Sequence, residues 1–167
     1  MKTLGKGAND ALETFLTKFE RYYNVQKSGA PAPFDALAEF HSQTQQYFLV
    51  KSARIADIES NEYVFFSSQN ELTAERLVQL DKEAWSQGLA RVRPHGGHKN
   101  SDITLIALAD TVSDDAKKLA KKLRHYKSYK FGLCGWSGYR SLVYETSSGT
   151  CVTNRLGKNL RALANSI

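Results

Sequence analysis

The chain has 167 residues, of which 41% are hydrophobic and 24% are charged, and its formal net charge is +6. This length suits one globular domain, and the composition excludes an intrinsically disordered chain. No apolar run approaches the roughly 18 residues of a membrane-spanning helix, so the sequence predicts a protein without membrane partners.

The first segment has helical periodicity. Apolar residues at helical spacing predict an amphipathic helix over residues 10–26, and the linker composition of residues 28–33 ends it. A short helix is predicted over residues 34–40, because Phe34, Leu37 and Phe40 fall near one helical face. We therefore expect an N-terminal helix and linker over residues 1–30 and an α+β globular domain over residues 31–167.

Strand and helix signals alternate in the middle of the chain. Strands are predicted over residues 47–58 and 62–66, joined at Ser60-Asn61. A helix over residues 73–87 follows, and Gly88 is the natural residue to end it. Residues 103–109 lack polar alternation, which predicts a central strand covered on both faces.

The remaining elements complete a mixed sheet. A helix is predicted to begin at Ser113, because acidic residues follow in its first turn and basic residues near its last. Strands are predicted over residues 129–134 and 141–146, the second in a hairpin with residues 150–154, before a helix over residues 158–165. The order predicts one α+β domain with a mixed sheet of five or six strands, packed helices and an N-terminal helical arm; the strand order stays open.

Several motifs after Arg91 occur together. A Pro-His-x-x-His loop precedes an apolar strand ending in Ala-Asp, and a basic helix, Lys-Ser-Tyr-Lys-Phe-Gly-x-x-Gly-Trp and Thr-Asn-Arg follow. This arrangement resembles a family of small uncharacterised bacterial proteins over roughly residues 58–160. The resemblance implies a bacterial, cytosolic protein and no particular activity.

A basic run at residues 117–130 is the most informative feature of the chain. Seven of its fourteen residues are Lys or Arg, and residues 91–167 contain 14 Lys and Arg against 5 Asp and Glu. Such a half attracts nucleic acid or phosphorylated ligands, although the cations also suit a merely solvated helix face. The candidate anion-binding residues are Lys117, Lys118, Lys121, Lys122, Arg124, Lys127 and Arg140. We expect Lys117, Lys118, Lys121 and Lys122 to lie exposed on one helix face.

Glycine recurs in residues 131–140 without forming a phosphate-binding or dinucleotide-binding fingerprint. One interpretation is a bend between strands with Trp136 folded onto the core. The other is a ligand wall, in which Trp136 and Tyr139 supply flat surfaces and Arg140 contacts an anion.

Three enzymatic alternatives remain open. His95, His98 and Asp102 suggest a metal-dependent hydrolase, but the Gly-Gly between the histidines lacks the rigid spacing of a helical metal motif. We therefore expect no bound metal and no cofactor. A nucleophile pairing would join Cys134 to His125 or His98. A nuclease site would use carboxylates and nearby cations, namely Asp57, Glu59, Glu62, Lys51 and Arg54.

The sequence favours a non-enzymatic bacterial domain that binds an anionic partner, nucleic acid or a phosphorylated ligand, through its basic C-terminal half. Whether it is an enzyme stays undecided. Cys134 and Cys151 are not closely spaced, so we interpret them as reduced thiols of a cytoplasmic protein. Beside the hydrolase, the other alternative is a structural or protein-interaction module, including a homodimer.

Overall fold

The computed structural model describes residues 7–47 and 54–165. Its elements, in chain order, are α1 (Ala8–Phe19), β1 (Asn24–Gln26), β2 (Ala36–Tyr47), β3 (Arg54–Leu72), α2 (Ala74–Arg91), β4 (His98–Val112), α3 (Asp114–Ala120), β5 (Tyr126–Ser128), β6 (Trp136–Glu145), β7 (Thr150–Thr153) and α4 (Arg161–Ala164). Short 3-10 turns lie at Lys130–Gly132 and Lys158–Leu160. None of the helices in these ranges is long and apolar enough to cross a membrane.

The strands form one mixed sheet, which has seven strands within the described residues. The order is β1-β2-β3-β4-β6-β5, and β7 pairs with β6 beside β5. β3, β4 and β6 run parallel because α2 and α3 cross over between them, whereas the other pairs are antiparallel. The predicted single α+β domain with a mixed sheet is confirmed, with more strands than the expected five or six.

The central strand β4 is covered on both faces. Ile103 and Leu105 are fully buried on the face that carries α2 and α3, and Ile106 and Leu108 are fully buried on the α1 face. This confirms the expectation drawn from a run without polar alternation.

Helix α1 contributes to this core and is shorter than predicted. Phe15, Leu16 and Phe19 are buried, and the Phe19 ring packs edge-on against Phe66 with ring centroids 5.3 Å apart. The aromatic stripe of α1 is thus covered by the sheet of its own chain. The predicted boundary at residue 30 stays a prediction.

Two expectations about the β2–β3 region are wrong. Residues 36–40 form the start of β2 rather than a helix, because Ala36 and Leu37 bury opposite faces while pairing with Phe66 and Phe65. The turn at Ser60-Asn61 is absent, since β3 continues through it and the buried Asn61 amide donates to Glu59 and Ser101. Residues 48–53 of the first predicted strand lie outside the described residues.

Later boundaries are partly confirmed. The Ser113 hydroxyl caps α3 by accepting from the Ala116 N–H, and the β6–β7 hairpin forms as predicted. Gly88 lies inside α2 rather than ending it. The strand predicted over residues 129–134 is wrong, because a turn containing Lys130 and Phe131 occupies this stretch.

Candidate functional site

An aromatic pair lies on the hairpin formed by β5 and β6 at the edge of the sheet. Tyr126 lies opposite Gly138 and Ser128 lies opposite Trp136, so Tyr126 and Trp136 are diagonal neighbours on one face. Diagonal neighbours are within reach of aromatic side chains. Tyr126 is 63% exposed and Trp136 is 37% exposed, so two flat rings are presented side by side to solvent. Of the two interpretations of Trp136, the exposed ring fits the ligand-contacting one better than complete burial in the core.

The turn that joins these strands displays a third aromatic ring. Lys130, Phe131 and Gly132 have positive φ angles of 47°, 54° and 88°. The conformation is held by main-chain hydrogen bonds from the Gly132 and Cys134 N–H groups to the Tyr129 carbonyl oxygen. Phe131 is fully exposed, so this left-handed conformation gains no burial from its ring. Backbone strain at an exposed, well-held residue points to a functional role.

Gly135 fixes the base of this turn. A β-carbon there would lie 2.1 Å from the Lys99 carbonyl oxygen, and its φ of 80° favours glycine. We call the exposed side chains of residues 126–136 the hairpin surface.

The predicted cations divide into free and paired groups. Lys118, Lys121, Lys122, Arg124 and Lys127 are exposed and form no ion pair with a described residue.

Lys117 and Arg140, two of the predicted anion-binding cations, each form an ion pair. Lys117 is half-buried, and its Nζ lies 2.6 Å from Oε2 of Glu145, whose pKa it holds below the ordinary value. Arg140 bonds to Asp102 at 2.9 Å. The expectation that Lys117 is exposed is therefore wrong, and neither cation is available without breaking an ion pair.

A cleft of about 260 Å³ lies beside the hairpin surface. Lys121, Arg124 and Arg155 line this cleft. None of the three forms an ion pair with a residue that the structure describes. Tyr126 and Leu156, both exposed, also line the cleft and link it to the hairpin surface.

Tyr139 is fully buried in this region. Its ring packs edge-on against His125, with centroids 4.8 Å apart, and edge-on against Trp85. Burial raises its pKa well above the ordinary value, and the Asp81 carboxylate adds to this effect. Tyr139 is therefore part of the core and supplies no exposed flat surface, which corrects the predicted ligand wall.

The histidines of the Pro-His-x-x-His loop do not converge with Asp102. The buried His98 uses both ring nitrogens, with Nδ1 2.6 Å from the Cys134 carbonyl oxygen and Nε2 2.7 Å from Ser101 Oγ. His95 is exposed, and its Nε2 lies 2.7 Å from Oε2 of Glu59. No group of three potential metal-ligating side chains occurs within the described part of the chain. The hydrolase hypothesis therefore has no geometric support from these three residues.

Described residues of the nucleophile and nuclease hypotheses are likewise engaged in other contacts. The two ring nitrogens of His98 contact the main-chain carbonyl oxygen of the buried Cys134 and the hydroxyl of Ser101. Both nitrogens are therefore already occupied within the protein. Glu59 is engaged by Asn61 and His95, whose hydrogen bonds lower its pKa. Lys51 and the side chains of residues 54 and 57 lie outside what the structure describes.

A network of two carboxylates and one guanidinium, with one more negative than positive group, occupies the α1 face of the sheet. The Tyr23 hydroxyl donates to the Glu62 carboxylate, while Arg140 bonds to Asp102 and lies 4.0 Å from Glu62. Burial raises the pKa of Asp102, although Arg140 opposes this shift. Glu62 and Arg140 also line a pocket of about 360 Å³ beside α1. Because both carboxylates and the guanidinium are mutually engaged, this network attracts anions less strongly than the cleft.

The fold is that of an α+β domain. The exposed aromatic side chains and cations at the edge of its sheet form a candidate anion-binding surface. The chain belongs to the family described as Domain of unknown function (DUF8052), whose model matches residues 8–165. The expected resemblance to a family of uncharacterised function is thereby confirmed. No curated protein and no solved structure matches the chain.

Two contributors were missing from the sequence-based candidates, namely Arg155 and Leu156. The basic run already contained Lys130, and Phe131 was expected to stack on bases only if it was exposed, which the structure shows it to be. The closely spaced Gly132 and Gly135 signalled a turn rather than a strand around Phe131. The Thr-Asn-Arg motif contained Arg155, but its place in the cleft depends on the fold, in which Asn154 ties this segment to Leu123.

Proposed function

We propose that this protein binds single-stranded nucleic acid through the hairpin surface and the cations around it. The observation that carries the proposal is the exposed pair of Tyr126 and Trp136 on one face of an edge hairpin. Lys127, on the other face of the hairpin, and Lys130, in its turn, are exposed and form no ion pair with a described residue. Unpaired bases stack on such rings without strong base preference, while Lys and Arg neutralise the phosphates. Phe131, at the tip of the hairpin, supplies a third ring.

A single strand fits this surface better than a duplex. Stacking requires bases that are free of a partner strand, and aromatic rings cannot reach the stacked bases of a duplex. Helix α3 has only seven residues and packs its buried alanines against the core, so it lacks the length of a groove-reading helix. We therefore expect binding with little sequence preference.

A protein partner, including a second copy of this chain, is the alternative occupant. Phe131 and Leu133 are exposed apolar side chains, as in many protein interfaces. The lysines at 127 and 130 favour a polyanion, because interface cores are usually depleted of lysine. A cytoplasmic, bacterial setting is part of the proposal; the two free thiols support the cytoplasm, and the resemblance described above supports a bacterial origin.

The first experiment measures fluorescence anisotropy of a labelled single strand of about 12 nucleotides, within the range of known site sizes. Affinity should fall steeply between about 50 and 200 mM salt, by about 0.7 in log–log slope for each phosphate contacted. A duplex of the same sequence should bind more weakly. Absence of single-strand binding at low salt would overturn the proposal, and self-association abolished by Phe131→Ala would then favour the interaction module.

A matched pair of tyrosines tests the stacking. Tyr126 and Tyr22 are 63% and 65% exposed, but Tyr22 follows α1 and lines the pocket beside that helix rather than the cleft beside the hairpin surface. Tyr126→Ala should cost about 1–3 kcal/mol of binding free energy with an unchanged salt slope, as loss of one stacked base does. Tyr22→Ala should cost nothing measurable. Equal effects of the two changes would refute stacking at Tyr126.

A second pair tests the charges. The double change Lys127→Gln/Lys130→Gln should lower the salt slope by about 0.7 for each lysine that contacts a phosphate. Lys82→Gln, at an exposed position on α2, should leave the slope unchanged. An unchanged slope in the double variant would exclude these lysines from the interface.

A further inference from the structure

The cleft beside the hairpin surface arises from a gap along β6. β5 pairs with β6 at residues 136–138 and β7 pairs with it at residues 142–145, so no strand of the described residues lies beside residues 139–141 on this side. Asn154 satisfies the exposed main chain instead, donating to the Tyr139 carbonyl oxygen and accepting from the Ser141 N–H. The gap is therefore a cavity whose floor is main chain that is hydrogen-bonded to the Asn154 side chain.

Three cations line this cavity. Lys121 and Arg124 come from the segment after α3, and Arg155 comes from the loop after β7. These two segments are tied together, because the Asn154 amide donates to the Leu123 carbonyl oxygen at 3.0 Å. None of the three cations forms an ion pair with a carboxylate of a described residue. An anion bound in the cleft would offset their like charges.

We propose that this cleft binds a phosphate monoester, either the terminal phosphate of a nucleic-acid strand or that of a free nucleotide. The first source rests on the proposed function, whereas the second does not. A monoester carries nearly two negative charges at neutral pH, which suits three free cations better than the single charge of an internal phosphodiester. The two guanidinium groups can each bind two phosphate oxygens.

The shape of the cleft supports a strand end rather than a passing strand. Tyr139, Asn154 and Leu123 close its floor, and all three are buried. Its volume of about 260 Å³ lies just below the range of ordinary ligand pockets, which starts at roughly 300 Å³. A phosphate and part of its nucleoside would fill such a space.

The neighbouring aromatic side chains give the bound strand a direction. Tyr126 lines the cleft and lies diagonally next to Trp136 on the hairpin surface. A terminal phosphate in the cleft would therefore place its own base at Tyr126 and the next base toward Trp136. The cleft would fix the strand end, and the hairpin surface would bind the nucleotides that follow.

The test compares short single strands with a 5′-phosphate, with a 3′-phosphate and with hydroxyl groups at both ends, alongside adenosine monophosphate. One phosphorylated end should raise affinity by about tenfold or more, as expected for charge-assisted hydrogen bonds from arginine. Arg155→Gln should abolish this preference, so that strands with and without a terminal phosphate bind the variant with equal affinity, since the tenfold gain belongs to the terminal phosphate. Lys158→Gln, an exposed cation outside the cleft, is the matched control and should retain the preference.

The outcomes separate this proposal from the proposed function. Strand binding without preference for either phosphorylated end, and without binding of adenosine monophosphate, would overturn the phosphate cleft and leave the hairpin surface intact. Binding of adenosine monophosphate that Arg155→Gln abolishes, with no binding of any strand, would support the cleft and overturn the proposed function. Arg124→Gln, which removes another cation that lines the cleft, should repeat the loss seen with Arg155→Gln; a preference that survives both changes would also overturn the cleft. Circular dichroism checks that each exposed-site variant stays folded.

Discussion

The side-chain amide of Asn154 donates to the main-chain carbonyl oxygen of Leu123 at 3.0 Å. The same amide nitrogen donates to Tyr139, and the Asn154 side-chain oxygen accepts from the N–H groups of Ser141 and Gly157. One buried side chain therefore joins β6, the segment after α3 and the loop after β7. The spacing of the cations in the cleft depends on this connection.

Replacing Asn154 should lower the free energy of unfolding. In Asn154→Ala, two buried N–H groups and two carbonyl oxygens lose their partner, and each unsatisfied group costs about 1–3 kcal/mol. Because water reaches part of the vacated site, we expect a loss of about 2–4 kcal/mol in the free energy of unfolding, measured by urea denaturation. Asn159→Ala, at an exposed position, should change it by less than about 0.5 kcal/mol. Similar values for the two variants would contradict this role of Asn154.

Gly88 has a packing role within α2. A β-carbon at residue 88 would lie 2.6 Å from the Ile103 side chain, which is fully buried and has no space to move into. Gly88→Ala should therefore destabilise by about 1–3 kcal/mol through overpacking, although alanine ordinarily stabilises a helix interior by about 1 kcal/mol.

Two comparisons isolate the steric effect. Ser86→Ala, at an exposed position of the same helix, should be neutral or slightly stabilising. The double variant Gly88→Ala/Ile103→Val should be more stable than the sum of its single changes predicts, because valine removes one of the clashing atoms. A Gly88→Ala protein as stable as the original in thermal denaturation would show that α2 shifts without cost.

Local signals predicted the elements whose packing agrees with their own sequence pattern. The unbroken apolar run of β4 and the capped start of α3 at Ser113 were both identified correctly. Residues 34–40 carried a helical spacing, but pairing with β3 buries Ala36 and Leu37 on opposite faces and prevails over that spacing. Gly88 resembled a helix end because its actual constraint, the Ile103 side chain, lies elsewhere in the sequence.

The candidate site was predictable only in part for the same reason. The basic run predicted Lys121 and Arg124, whereas Arg155, which lines the same cleft, comes from a segment about 30 residues later. Helical periodicity placed Lys117 with the exposed lysines, yet Glu145 on β6 engages it. Both results depend on contacts between distant segments, which a periodic pattern does not contain.

The ion pair of Lys117 and Glu145 should make stability depend on pH. Hydrogen bonding to Lys117 lowers the pKa of the folded Glu145 below its ordinary value of 4.5. A lowered folded pKa means that the pair stabilises the protein above pH 4.5, and that this contribution is lost as the pH falls through the folded value. The difference in unfolding free energy between the original protein and Glu145→Gln should therefore be constant near neutral pH and shrink in acid.

Urea denaturation at a series of pH values measures that difference. Lys117→Gln should show the same loss of acid dependence, because it removes the other partner of the pair. Glu71→Gln, an exposed carboxylate without an ion pair among the described residues, serves as the comparison. A constant difference for Glu145→Gln down to about pH 3 would rule out this linkage.

Replacing Phe131 with glycine should change stability and binding in opposite directions. Its φ of 54° is costly for a residue with a β-carbon, and its fully exposed ring gains nothing from packing. Phe131→Gly should therefore raise the free energy of unfolding by up to about 1 kcal/mol, the relief of a left-handed residue less the added entropy of glycine in the unfolded chain. If Phe131 stacks on a base, the same variant should bind single-stranded nucleic acid about fivefold or more weakly. Phe131→Ala separates the two effects, because it removes the ring but retains the β-carbon; it should lose affinity without gaining stability. A glycine variant that is more stable and binds as tightly as the original would show that the strained turn serves some purpose other than contact with nucleic acid.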